Sequence, residues 1–238
     1  MKNNILSVVI PAYNEKNTIQ EILKRVQAVN LPLQKEIVIV DDCSTDGTRD
    51  ILRELEKNST GGNLKIVFKE KNEGKGSALK AGLLAASGDI LIIQDADLEY
   101  NPEDFKKILK PILDNQADVV YGSRILSGDA KRVFYVYHFL GNIFLTLLSD
   151  LLTGLSFTDM ETCYKAFTKK VADSFKHELK SKRFGIEPEI TARIAKGRWR
   201  LYEVGISFYG RTYEQGKKIN WKDGFAAIWH IIRFNLFE

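Results

Sequence analysis

Asp95-Ala96-Asp97-Leu98-Glu99 sets three carboxylates at alternate positions directly after the apolar run Asp89-Ile90-Leu91-Ile92-Ile93. Along an extended segment, residues two apart share a side, so Asp95, Asp97 and Glu99 are the candidate metal ligands. Hard oxygen donors of this kind suit Mg2+ or Mn2+, which take one or two carboxylates and complete their shell with substrate phosphates. A cation held there would neutralise charge on a departing diphosphate. The bland alternative is a solvated acidic turn ahead of a helix that opens at Pro102.

A diphosphate needs further partners, and the first turn excludes the common ones. The run Ile5-Leu6-Ser7-Val8-Val9-Ile10 stops at Pro11-Ala12-Tyr13-Asn14-Glu15, with neither G-x-G-x-x-G nor G-x-x-x-x-G-K-[ST]; a dinucleotide fingerprint and a P-loop are both ruled out. Tyr13 can stack on a base, and Glu15 and Asp42 can accept from base or ribose hydroxyls. Lys75 and Arg124 can donate to phosphate oxygens, Arg in bidentate fashion. Helix capping by Glu15 and solvation of Lys75 are the alternatives, and the joint occurrence of all five residues outweighs them.

These residues stand where apolar runs end. Besides the two runs above, Glu36-Ile37-Val38-Ile39-Val40 stops at Asp41-Asp42, and Leu64–Phe68 and Asp118–Tyr121 are further strand candidates. Continuous β-branched runs read as strands buried on both faces, hence an α/β fold with a mostly parallel sheet flanked by helices. Ligands of such sheets sit beyond the carboxyl ends of the strands. Thr18-Ile19-Gln20-Glu21 has capping-box spacing ahead of one helix, Asp46-Gly47-Thr48 opens a second through Leu55, and Gly76 to Ala86 forms a third.

The chain has 238 residues, 44% hydrophobic and 28% charged, which suits a globular domain and excludes a disordered tail protein. Cys43 and Cys163 are the only cysteines and lie far apart; that excludes a disulfide scaffold and points to a reducing cytoplasm. The first apolar stretch is too short for a signal peptide. A net charge of +4 argues against bulk nucleic-acid binding, but residues 1–130 carry 17 Lys+Arg against 20 Asp+Glu while residues 131–238 carry 18 against 11. An anion belongs in the second half.

In order and spacing, PAYNE, DDCSTDGT, NEGKGSALKAG, QDADLE and YGSR over residues 5–125 resemble the nucleotide-binding half of the family 2 glycosyltransferases. Those are inverting enzymes of GT-A fold, and the resemblance is strongest to the polyprenyl (dolichyl) phosphate mannose or glucose synthases; it extends more loosely to about residue 220. It implies that Pro11, Tyr13 and Glu15 hold base and ribose, that Val40 and Asp42 read the base, and that Asp41 is a structural neighbour. It implies also that Asp95 and Ala96 lie at ribose and metal, that Asp97 is the main metal ligand with Glu99 as a further one, and that Lys75 and Arg124 lie near the sugar diphosphate.

The second half should receive the acceptor. Val133 to Ser149 contains five aromatic residues and no formal charge apart from a protonatable His138, reading as a helix either buried or lying at a lipid surface; His138, Asn142, Thr146 and Asp150 interrupt it as a membrane span. The resemblance places the lipid phosphate here, with Arg132 nearby and His138 and Asn142 where the family carries Arg and Ser. Thr158 to Phe167 matches a segment that begins with Asp and ends in an apolar-aromatic strand, making Asp159 the candidate acceptor-side carboxylate, as base or as organiser of basic side chains, with Glu161 in reserve. Phe184 to Ile190 reads as a helix start and Trp199 to Ile206 as a strand. Gly210 to Lys218 resembles a basic loop closing over phosphates, with Arg211 and Lys218 the best matches. Trp221, Phe225, Ile228, Trp229, Ile232 and Leu236 recur at helical spacing, fit for packing or for peripheral membrane contact.

The resulting expectation is one continuous domain with a nucleotide-sugar half (1–125), an acceptor half (126–220) and a C-terminal amphipathic helix (221–238). It would be a Mg2+- or Mn2+-dependent hexosyltransferase moving a hexose from a GDP- or UDP-sugar to a polyprenyl phosphate, cytoplasmic or peripheral on the inner membrane face. The alternatives are transfer to a glycan or small-molecule hydroxyl with Asp159 as base, and a non-catalytic nucleotide-sugar-binding or membrane-associated scaffold. Nucleic acid is not an expected partner.

Overall fold

The computed structural model describes residues 5–59, 62–126, 132–133, 135–211 and 221–238. Seven strands form one sheet: β1 (Ile5–Ala12), β2 (Gln34–Asp41), β3 (Leu64–Phe68), β4 (Ile90–Ile93), β5 (Val119–Ser123), β6 (Lys165–Thr168) and β7 (Leu201–Gly205). Their spatial order is β3-β2-β1-β4-β6-β5-β7. The pairings β1 with β2, β1 with β4, β2 with β3 and β5 with β7 are parallel, whereas β6 runs antiparallel to both β4 and β5. The sheet is therefore mixed and mostly parallel, and the central strands β1, β2 and β4 are apolar because both their faces are covered.

The helices are α1 (Ile19–Ala28), α2 (Thr48–Asn58), α3 (Lys75–Ala85), α4 (Phe105–Leu113), α5 (Val136–Thr153), α6 (Lys169–Phe175), α7 (Ile186–Ala195) and α8 (Trp221–Leu236). Two local expectations are corrected. Thr18 makes no capping bond to α1; its hydroxyl donates to Glu15 Oε2 at 2.7 Å, while Glu21 pairs with Arg25 at 2.7 Å. Both halves of a capping box thus have stronger charged partners elsewhere. The second helix runs three residues past Leu55, to Asn58.

α5 is built inside out. The side chains it buries are polar, Thr146 and Ser149. Asn142 Nδ2 donates to Asp159 at 2.9 Å, Thr146 Oγ1 accepts from the Met160 amide at 3.2 Å, and Asp150 Oδ1 accepts from the Phe157 amide at 3.1 Å. The polar residues that interrupted the apolar pattern face the protein, and Tyr137 (85% exposed), Leu140, Phe144, Leu147 and Leu151 (74% exposed) face outward. Of the two readings of this helix, burial is excluded. In length and apolar composition α5 could cross a bilayer.

α8 packs against α5 and α7. It buries Ala227, Ile231 and Phe234 and leaves Phe225, Trp229 and Leu236 exposed, so the face that packs is offset from the aromatic stripe the sequence suggested. Phe225, Trp229 and Leu236 of that stripe face outward on a helix that is itself in contact with α5.

At the start of α3, close approach demands glycine. A Cβ on Gly76 would stand 2.3 Å from the Ser181 carbonyl oxygen, and one on Gly74, whose φ is +95°, would stand 2.6 Å from that of Lys182. The 181–183 backbone thereby seats against the start of α3. Gly76→Ala is expected to lower the unfolding free energy in urea by about 1–3 kcal/mol through overpacking; unchanged stability would show that the two backbones are not held at this distance.

Candidate active site

The carboxyl ends of the parallel strands share one rim, and over it lies a cavity of about 1020 Å³. β1 ends in Pro11 and Ala12, which line it together with Tyr13 and Glu15. Tyr13 is 37% exposed and lies in the cavity wall. Glu15 is buried, accepting from Thr18 and, at 3.0 Å, from the Arg211 guanidinium. After β2, Asp41 is fully buried and pairs with Arg49 at 2.7 Å. Asp42 lines the cavity, but its oxygens accept from Lys69 Nζ at 2.6 Å and from the amides of Glu73 (3.1 Å) and Gly74 (2.6 Å). Its visible work is to fold the 69–74 turn.

Val40 corrects an expectation. Its side chain is fully buried with Cγ2 toward Gly82, 3.2 Å from where a Cβ there would stand, and it is absent from the cavity wall among the described residues. An apolar β2 side chain facing α3 cannot read a base.

The acidic segment after β4 is a turn rather than an extended run. Leu98 has φ +65°, a strained conformation for a branched residue, and Asp97 Oδ1 accepts from the Glu99 amide at 3.1 Å. Asp95 is engaged by Lys75, whose Nζ lies 2.9 Å from its Oδ1 and 2.8 Å from Glu187 Oε1. Glu99 Oε1 accepts from the Arg211 amide at 2.6 Å. No three Asp, Glu, His or Cys side chains among the described residues are gathered as a ligand set. Asp95 is paired with the Lys75 ammonium, while Asp95, Asp97 and Glu99 still lie close enough to repel one another.

Two of the three carboxylates nevertheless suit a divalent cation. Burial, then repulsion from Asp95 and Glu99, pushes Asp97 up to about 7. Burial also raises Glu99, with repulsion from Asp95 adding to it and the Arg211 amide opposing. A buried cleft with this excess of negative charge is relieved by a cation, and one or two carboxylates are what Mg2+ or Mn2+ needs beside phosphates.

Across the cavity, Arg124 and Asp159 form a bidentate pair: Nε to Oδ2 and Nη2 to Oδ1, each 2.6 Å, with the Arg124 amide also donating at 3.0 Å. Asp159 is fully buried. Burial opposes its charge, but Arg124 and the Asn142 amide overcome that and hold its pKa below the usual value. An acid with saturated oxygens and a lowered pKa is a poor general base, so the reading of Asp159 as a base is corrected; it positions Arg124. Arg124 itself lines the cavity, stacked 5.3 Å over Phe208.

Arg132 donates to the Gly210 carbonyl at 2.9 Å and lines the cavity, as do His138 and Asn142 of α5 and Arg211. Arg211 spans the site, its Nε donating to the Asp97 carbonyl at 2.9 Å. Lys218, the other basic-loop candidate, lies outside the described residues. Ala96 is buried in the cavity wall. Glu187, at the start of α7, and Arg183, on the loop before it, were not singled out from the sequence, yet both line the cavity. Neither sits in a motif; the docking of the 181–183 loop on Gly74 and Gly76 brings them there.

The family model described as Glycosyl transferase family 2 matches residues 7–175. The chain is a family 2 glycosyltransferase. This glycosyltransferase is 29% identical over 249 residues to a UDP-N-acetylglucosamine–dolichyl-phosphate N-acetylglucosaminyltransferase of Methanococcus voltae, covering 99% of this chain and 98% of that one. It is 31% identical over 242 residues to a dolichol-phosphate mannosyltransferase of Pyrococcus furiosus, covering 98% of this chain and 64% of that one. Among solved structures, glucosyl-3-phosphoglycerate synthase of Mycobacterium tuberculosis, in complex with Mn2+, UDP and phosphoglyceric acid, superposes with a TM-score of 0.70 at 20% identity, covering 97% of this chain and 77% of that one. That likeness establishes the GT-A fold.

Two measurements follow from the electrostatics. Asp159→Ala leaves the partly buried guanidinium of Arg124 without its carboxylate, and its unfolding free energy should fall by about 1–3 kcal/mol; a loss under about 0.5 kcal/mol would show the pair to be dispensable. Asp97 titrates near 3.8 when unfolded and about 7 when folded. The folded state therefore keeps a proton that the unfolded chain releases, and stability is lost as pH rises through that window. Relative to Asp97→Asn, the wild type should become steadily less stable from about pH 4 to 7, and Mn2+ should raise its melting temperature more at pH 8 than at pH 5.5.

Proposed function

We propose that this glycosyltransferase moves a hexose from a UDP- or GDP-sugar to a polyprenyl phosphate at a membrane surface. The observation that carries the reading is α5: its inner edge, with His138 and Asn142, walls the cavity beside Arg124, while its outer face is a continuous apolar surface. An acceptor with an anionic head and an apolar tail matches both sides of one helix. The names of the relatives from Methanococcus voltae and Pyrococcus furiosus, both dolichyl phosphate transferases, support the same acceptor class.

A phosphate monoester is anionic at neutral pH, so its oxygen can attack the anomeric carbon without a general base, which agrees with a site where Asp159 is locked away from proton transfer. Attack from the face opposite the leaving group inverts the configuration. Arg124 and Arg132 are placed on the acceptor side to draw in the phosphate, with Asp159 and Asn142 fixing the plane of the Arg124 guanidinium. Tyr13 and Glu15 hold the nucleoside, and Arg211, strapped across Glu15 and Asp97, donates to the diphosphate once a donor displaces its present contacts. Mg2+ or Mn2+ on Asp97 and Glu99 would supply neutralisation of the departing diphosphate. The synthase from Mycobacterium tuberculosis binds Mn2+ or Mg2+ with UDP, in accord with that assignment. Phe144 and Leu151 of α5, with Phe225 and Trp229 of α8, would lie in the lipid interface.

The test is transfer from UDP-glucose, UDP-N-acetylglucosamine and GDP-mannose to a short polyprenyl phosphate with Mn2+. A lipid-soluble glycosylated product that disappears with EDTA is expected, and Asp97→Ala should reduce its formation at least about a hundredfold without unfolding the chain. Donor hydrolysis without lipid product would overturn the acceptor. Phe144→Glu with Leu151→Glu should abolish sedimentation with anionic vesicles while leaving transfer to a water-soluble, short-chain phosphate within about twofold of wild type; undiminished sedimentation would remove α5 from the interface.

A further inference from the structure

One wall of the cavity is acidic and lies apart from the Asp97–Glu99 turn. Glu187, 6% exposed at the start of α7, gives Oε1 to Lys75 at 2.8 Å, and its Oε2 is buried with no partner among the described residues. Glu161, on the loop before β6, likewise buries Oε1 without a partner. Both residues line the cavity. Beneath them Lys165 is fully buried, its Nζ donating to the Met160 carbonyl at 2.9 Å and also to that of Thr162, 4.8 Å from the Tyr121 ring centroid. Its charge offsets the two carboxylates, but two of its three hydrogens are committed to backbone carbonyls.

Buried carboxylate oxygens left unpaired are costly, so this wall is built for something that brings hydrogen-bond donors. It does not suit a phosphate, which two carboxylates repel. Lys75 fixes its position: one ammonium touches both Asp95 and Glu187, so the acidic wall begins one ammonium's width from the turn assigned to the diphosphate. The group attached to that diphosphate is the sugar, whose hydroxyls are donors.

We infer that Glu187 and Glu161 form the subsite that accepts hydrogen bonds from the hydroxyls of the donor sugar, with Lys75 tying that subsite to the diphosphate. The inference deepens the proposed function and rests on its placement of the nucleotide sugar in this cavity. Lys75 then has a positioning role, because it holds Glu187 in register with Asp95. Burial first, and then the neighbouring Glu187, raises Glu161 to about 7 against the pull of Lys165 and Arg124, so Glu161 can also meet a sugar oxygen as a donor. A carboxyl that serves in both ways suits a ring substituent carrying both a hydrogen and lone pairs.

The experiment compares binding of UDP-glucose, UDP-N-acetylglucosamine and GDP-mannose with that of UDP and GDP, by calorimetry with Mn2+, for wild type, Glu161→Leu, Glu187→Leu and the two Glu→Gln variants. For the sugar nucleotide that wild type turns over, each Leu variant should lose about tenfold or more in affinity, bind the bare nucleoside diphosphate within about twofold of wild type, and recover most of the loss as Gln. Deoxy analogues of that donor repeat the test on the unaltered protein. Removal of at least one hydroxyl should cost wild type about tenfold and a Leu variant almost nothing, the signature of a direct pair. Equal losses for donor and bare diphosphate, or no loss for either, would overturn the inference. Absence of lipid product in wild type would overturn the acceptor reading alone, because the ratio of sugar-nucleotide to nucleotide affinity still reports on the subsite.

Discussion

The Arg124–Asp159 pair ties the site together. Arg124 follows β5, Asp159 precedes β6, and Asn142, which bonds to both, lies on α5. Three separate stretches of the chain meet at the buried Asp159 carboxylate, where a lost partner would leave an uncompensated charge. The pair also decides the chemistry. A carboxylate fully committed to Arg124 takes no proton from an acceptor, and the guanidinium it holds in plane stands in the cavity wall as a fixed positive charge. The acceptor that fits is one that arrives already ionised.

The reversed strand β6 makes this meeting possible. The parallel strands end at one rim, where Tyr13, Asp42, Asp95 and Arg124 follow β1, β2, β4 and β5. An antiparallel strand between β4 and β5 begins at that rim, with Lys165 opposite Tyr121 and Ala166 opposite Ile92, so the loop before it delivers Asp159 and Glu161 to the site. Charge balance then follows the geometry. Lys75 sits between Asp95 and Glu187, Lys165 lies under Glu161, and Arg211 spans Glu15 and the acidic turn. The cavity is lined with carboxylates yet ringed by cations, as a diphosphate and a divalent cation require together.

The inside-out α5 links the site to its surroundings. Its polar residues satisfy groups on the 157–160 loop and its apolar residues face away. In water such a face is a cost, and at a bilayer surface it is a source of affinity. α8 packs beside α5 and leaves Phe225 and Trp229 exposed, and both helices contribute residues to the cavity wall.

Much of this was legible in the chain. The apolar runs ending at Pro11, Asp41 and Gln94 specify parallel strands because only a strand covered on both faces tolerates such continuity, and they place the polar clusters at the ligand edge. The acidic residues after β4 and the GT-A resemblance were equally plain, since both are local patterns, whereas the turn that Leu98 makes among those residues was not. What local pattern does not carry is direction and partnership. Val40 and Asp42 are two residues apart, yet one faces α3 and the other the 69–74 turn. Asp159 reads as a base until Arg124 occupies both its oxygens, and nothing local to Asp95 announces the Lys75 ammonium that reaches it from α3. Glu187 belongs to no motif and enters the site only because Gly74 and Gly76 let a distant loop lie against them. The sequence by itself determined the order of strands along the chain, the chemistry available at their ends and the family. The tertiary structure decided which charges neutralise one another, because a charge's partner is set by proximity in space, and proximity across 20 to 112 residues is written in packing rather than in spacing.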